Sequence, residues 1–95
     1  MRRVSKAITA QNQFSEAIQV YGPCIMLAHD TSSMVMTVTL QVSIDGTTYF
    51  SSGSTLTAEG VAYLVNGCGL WYRVGVATGD FTSGTATAYL IKPNR

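Results

Sequence analysis

The sequence predicts an all-β protein, an antiparallel β-sandwich of six to eight short strands, jelly-roll-like or immunoglobulin-like in topology. Three observations predict it. Residues 34–44 place Met34, Met36, Val38, Leu40, Val42 and Ile44 on one parity, and Thr37, Thr39, Gln41 and Ser43 on the other. That is the period-two pattern of a strand with one buried face. Glycine-rich turn signals recur at short intervals along the chain, and no amphipathic stretch is long enough to form a helix that could cover a sheet.

The elements follow in order. Residues 1–12 show no period and read as a basic N-terminal arm, leaving residues 13–95 for the sandwich domain. "SEAIQ" contains good helix formers, but Gly22-Pro23 closes the stretch after a few residues, so residues 15–20 read as a short strand followed by a turn. "CIMLAH", residues 24–29, is a compact apolar run suited to a buried strand, and "DTSS" supplies the turn before the long strand. Asp45-Gly46 between "QVSI" and "TTYF" is a hairpin signal, because glycine tolerates positive φ and aspartate bonds its own backbone. Residues 47–50 form its return arm. "SSGSTLTAEG" reads as a polar segment crossing one end of the fold. Residues 61–65 make another strand, Asn66-Gly67 a turn, and residues 70–77 a longer strand carrying Trp71, Tyr72 and Val74. "TGDFTSG" is the last turn, and residues 85–92 close the sheet before Pro93.

A chain of 95 residues holds one domain with a modest core, and such domains often gain stability from a partner subunit. Charged residues are 12% and apolar residues 46%, while serine and threonine together supply 21 residues. Hydroxyls therefore make up much of the polar surface, and the scarcity of charge points to contact surface and a homo-oligomer or symmetric multi-copy assembly, a weakly charged solitary sandwich being the alternative. The net charge of +1 conceals a split: Arg2, Arg3, Lys6, Lys92 and Arg95 lie at the ends, whereas Glu16, Asp30, Asp45, Glu59 and Asp80 lie in the body with Arg73. A basic arm suits an acidic protein surface, a solvated frayed terminus being the alternative. Nucleic acid is disfavoured by the acidic body.

No sustained apolar leader opens the chain, and no run is long enough for a membrane span, so synthesis in a cytoplasm with Cys24 and Cys68 as reduced core thiols is the expectation. A disulfide between them stays open, since spacing does not place their Cα atoms.

Reactive constellations are not evident. His29-Asp30 is the one acid-base juxtaposition, but neighbouring strand residues face opposite ways and no nucleophile has matching spacing. Cys24, His29 and Cys68 are too scattered for a zinc pattern, and Asp30, Asp45 and Asp80 occupy turns without the repeated ligands of a calcium loop. "GCG" and "SSGS" lack the lysine and helix of a phosphate loop. The expectation is a non-enzymatic protein with no catalytic residue, no cofactor and no metal. Tyr49, Phe50, Tyr63, Trp71, Tyr72 and Tyr89 read as core or subunit contact, with a sugar- or base-stacking platform as the alternative. Trp71 and Tyr72 must face opposite ways, so one of them is exposed or at an interface. The candidate interface is thus Arg2, Arg3, Lys6, Trp71 and Tyr72, and the structural turn is Asp45 and Gly46.

The segments "FSEAIQVYG", "TVTLQVSIDGTTYF" and "LWYRVGVATGDFTSGTATAYL" together resemble the small all-β virion structural proteins of tailed bacteriophages. The resemblance is carried by Leu40, Gln41, Ser43, Asp45, Gly46, Thr47, Thr48 and Tyr49, then Tyr72, Arg73 and Val74, then Ser83, Gly84 and Thr85. The opening "MRRVSK" stands outside it. It implies a virion protein made in the host bacterial cytoplasm, most simply a capsid decoration or cement protein whose partners are the major capsid protein or tail and neck proteins. A tail, neck or fibre component is the first alternative. A small carbohydrate-binding module is the second.

Overall fold

The structure, a computed structural model, describes residues 2–64 and 67–92, with the side chains of residues 2, 63 and 64 outside the description. Nine strands form two antiparallel sheets with no helix among the described residues: β1 (Arg2–Ile8), β2 (Gln13–Phe14), β3 (Ile18–Val20), β4 (Cys24–Met36), β5 (Val38–Ser43), β6 (Phe50–Leu56), β7 (Gly60–Leu64), β8 (Leu70–Val76) and β9 (Phe81–Lys92). One sheet has the order β1-β9-β4-β7. The other runs β2-β8-β5-β6, with β3 pairing β8 on the same side as β2. The all-β sandwich is as the sequence predicts, with one strand more than the upper expected number.

The core lies between the sheets. Ile8, Val20, Met26, Val38, Leu40, Val74, Val76 and Leu90 are almost completely removed from water. The alternation of residues 34–44 produces this burial, but through two strands. The chain leaves the four-stranded sheet after Met36 and enters the five-stranded sheet at Val38, with Thr37 N–H donating to the Asp80 carbonyl at the corner (2.8 Å). Both sheets face the same core, so a strand that changes sheets keeps its inward parity. Met34, Met36, Val38 and Leu40 all point inward.

Several expectations are corrected. Residues 2–8 are no arm: β1 pairs with β9 along its whole length, from Arg2 opposite Lys92 to Ile8 opposite Ala86. Val4 and Ile8 face the core with Lys6 between them on the same parity, and that lysine hides the period. The expected turn at residues 30–33 is strand. β4 runs through it with register irregularities against β9, bridged by Met34 N–H donating to Asp30 Oδ1 (3.1 Å). Gly84, at φ +83°, lies against that bulge, where a Cβ would come within 2.1 Å of the Ser33 carbonyl oxygen. The bulge replaces a chain reversal by a bend that the long partner β9 follows.

The hairpin is also wider than two residues. Asp45 Oδ1 accepts from the backbone N–H groups of Thr47 (2.8 Å) and Thr48 (3.0 Å), which ties them to the turn, and pairing resumes only at Phe50 opposite Val42. Ile44 consequently leaves the ladder and is 81% exposed, contrary to its expected place in or near the core. The "SSGSTL" segment forms most of the edge strand β6, largely exposed, with Ser54 and Leu56 half-buried on one parity and Leu56 packed against the core. The strand expected over residues 15–20 begins at Ile18. Before it, Ser15 substitutes for a ladder residue, its N–H donating to the Val74 carbonyl and its Oγ accepting from Val74 N–H. Val65 and Asn66, expected as a strand end and turn, lie outside the described residues, as do Pro93 and Arg95.

Candidate interaction surface

The loop after β5 folds back over the outer face of the five-stranded sheet. Ser43 Oγ donates to Asp45 Oδ1 (2.9 Å) and accepts from Gly46 N–H (2.8 Å), so strand end and turn are locked together. Hydrogen bonds from Thr48 and Thr47 N–H, then from Ser43, hold the Asp45 carboxyl down at about 2. Gly46, at φ +80° as the turn requires, lies over the Trp71 ring. Tyr49 reaches Arg73. The Arg73 guanidinium carbon sits 3.9 Å from the Tyr49 ring centre and 4.1 Å from that of Phe14, and its Nε donates to Gln41 Oε1 (2.9 Å). An arginine held between two rings is a rigid, oriented cation. The sequence contains each partner, but Phe14 and Tyr49 come from loops and strands distant in the chain, and only the strand pairing assembles them.

The expected interface residues separate. Trp71 points outward and is half-buried, whereas Tyr72 is buried in the core, 4% exposed, with its hydroxyl donating to the Gly67 carbonyl (3.2 Å). Tyr72 is therefore no interface residue. Burial raises its pKa, with Cys24 and Cys68 adding in the same direction. Arg3 is exposed and Lys6 half-exposed on the edge strand β1, while the Arg2 side chain lies outside the described part. These do not join Trp71 in one patch. What does meet Trp71 is a shallow groove of about 340 Å³ lined by Ala17, Ile18, Gln19, Tyr21 and Lys92. Tyr21 is 62% exposed and packs its ring near Gly69, Gln19 Nε2 donates to the Gly69 carbonyl (2.9 Å), and Lys92 Nζ donates to the Gln19 carbonyl (2.8 Å). Tyr21 was legible only as a turn neighbour, because its position depends on the β3–β8 pairing.

His29 does find a carboxylate, although not its sequence neighbour. Glu59 Oε1 lies 2.8 Å from His29 Nδ1 and accepts from Asp30 N–H (3.0 Å), both side chains being more than half exposed. This clamps the β6–β7 turn to β4. Cys24 is buried and its thiol is pushed up to about 11 by that burial, whereas Cys68 is exposed rather than in the core. Both are thiols, with no disulfide between them. Among the described residues no three histidine, cysteine or acidic side chains cluster as metal ligands would, and no helix is long and apolar enough to cross a membrane.

No protein-family model, curated protein or solved structure matches this chain.

Proposed function

We propose that the chain is a non-enzymatic structural protein of a tailed-phage particle, a capsid decoration or cement protein that binds neighbouring capsid subunits and is present in many copies. The observation that supports this reading is β1. It is a seven-residue edge strand with a continuous register on one side only, and it carries Arg3 and Lys6. A long, regular edge is a template for an added strand unless something covers it. Its positive charge favours an acidic neighbour. The resemblance of residues 14–95 to small virion proteins supplies the setting, with a tail, neck or fibre position as the alternative site in the same particle. Synthesis would be in the host cytoplasm.

Co-sedimentation with empty shells of the cognate particle tests it. The intact chain should pellet with shells, and Arg3→Glu with Lys6→Glu should release it while leaving the fold unchanged by circular dichroism. Deleting residues 2–8 is the wrong test, since it removes a sheet strand. Pelleting with tails alone would favour the tail position. A second reading, a carbohydrate-binding module, is favoured by the exposed Tyr21 beside Trp71 in the groove with Gln19 and Lys92. A chain that ignores shells and tails but is retained on a glycan column would replace the first reading by the second.

A further inference from the structure

The two outer faces of the sandwich differ in chemistry. That of the five-stranded sheet is covered by the chain's own loop and side chains: Gly46 lies over Trp71, Arg73 sits against the Tyr49 and Phe14 rings, and Thr39 and Ser43 are buried. That of the four-stranded sheet is apolar where the strands are central. The register aligns Arg3, Ile91 and Ile25 in one row, and Ser5, Tyr89, Leu27 and Val61 in the next. Antiparallel sheets with a solvated face ordinarily alternate apolar-in with polar-out. β4 breaks that rule: Cys24, Met26 and Ala28 are buried in the core, and Ile25 and Leu27 on its opposite side are apolar too. Such a sequence belongs to a strand covered on both faces, yet among the described residues no third layer of secondary structure lies over this sheet. Val61 is 47% exposed at its margin.

We propose that this face is a homodimer interface, covered by the same face of a second copy. The argument for a second copy is the placement of charge. Arg3 lies on β1 in the row of Ile91 and Ile25, at one corner of the patch. Glu59, bonded to His29, lies just before β7 and four residues further along β4, at the diagonally opposite corner. Three strand-to-strand steps span about 14 Å and four residues along a strand about 13 Å, so the patch is nearly square. A two-fold axis along the other diagonal of a square exchanges these corners. It lays each Arg3 on the partner's Glu59 corner twice over, places Leu27 and Tyr89 at the centre, and crosses the two sheets near 90°, one of the two standard modes of sheet packing. Allowing a side-chain margin around that square, the pair would bury roughly 1,100 Å² in total, near the lower limit of a specific interface. The expected dimer is therefore reversible, with micromolar affinity. It does not rest on the virion reading, because it would form in dilute solution without any particle.

Sedimentation equilibrium on the full chain, from about 1 μM to 1 mM, tests it across the affinity range such areas support. Wild type should move from monomer to dimer. Leu27→Lys should weaken association about 100-fold or more, by placing a charge at the centre of the apolar patch. Arg3→Glu and Glu59→Arg should each weaken it about tenfold, and the two combined should recover most of the loss, the signature of a direct charge pair. Because Glu59→Arg also removes the His29 clamp, thermal unfolding of each variant at the lowest concentration separates misfolding from lost contact. A chain that stays monomeric to 1 mM overturns the proposal, as does a dimer that survives folded Leu27→Lys. Capture of a capsid subunit by the Leu27 face of a chain that never self-associates would overturn it as well, by showing a different occupant.

Discussion

Replacing Gly75 with alanine adds a single methyl group, and the structure says where that group must go. A Cβ at Gly75 would come within 2.1 Å of the Gln13 carbonyl oxygen and 2.6 Å of the Phe14 Cα, both main-chain atoms of β2. Non-bonded carbon settles near 3.5 Å, so β2 must retreat by about 1 Å or more. That movement opens the pairing of Gln13 with Val76 and Phe14 with Gly75, strains the two hydrogen bonds between Ser15 and Val74, and draws the Phe14 ring off Arg73. Overpacking of this kind costs about 1–3 kcal/mol, and the unyielding backbone places the expected loss in the upper half, about 2–3 kcal/mol. For a domain of this size each kcal/mol moves the midpoint by about 4–8 °C, so Tm should fall by roughly 8–24 °C. Thermal unfolding followed by circular dichroism measures it. Gly22→Ala is the control, because a Cβ there meets nothing within 4 Å and φ is not positive. It should be neutral, or stabilise by about 0.4–1 kcal/mol through the unfolded chain. Equal midpoints for the two variants would refute the close approach of β2 to β8.

Leu40 is fully buried, and Leu40→Ala should cost about 3–5 kcal/mol, a large share of the roughly 5–14 kcal/mol that a domain of this length possesses; urea unfolding with an unchanged m-value would register it. Gly46→Val should cost about 1–2 kcal/mol from the backbone, since φ is +80° while the nearest Trp71 atoms would be at an ordinary 3.7 Å, and tryptophan fluorescence should shift as the loop lifts. The Asp45 carboxyl is held below its ordinary value near 3.8, so its contribution is fully present above about pH 4 and is lost as pH falls toward 2. Wild type should therefore lose Tm through that window more steeply than Asp45→Asn, and parallel pH profiles would count against the three hydrogen bonds.

The sequence by itself determined which side chains turn inward along residues 34–42, because side-chain parity is a property of extended backbone and the apolar set had one direction to hide. It also required Gly46 to carry a positive φ, and required Trp71 and Tyr72 to part company, since neighbours on a strand face opposite ways. Which of those two went in was decided by β8 lying between β5 and β3, which faces Tyr72 to the core and leaves Trp71 for the loop to cover. The tertiary structure alone also made β1 a strand. Its lysine conceals the alternation of Val4 and Ile8, and only the length of β9 offers the partner that draws it in. The same holds for β6, whose hydroxyl-rich edge carries no pattern, and for Ile44, expelled when Asp45 took the amides that a tight hairpin would have used. The clusters at Arg73, at the Tyr21 groove and across the Ile25–Leu27 face join residues far apart in the chain. Local pattern encodes parity and turn chemistry, but strand order and register bring such residues together, and those are settled by the packing of the whole.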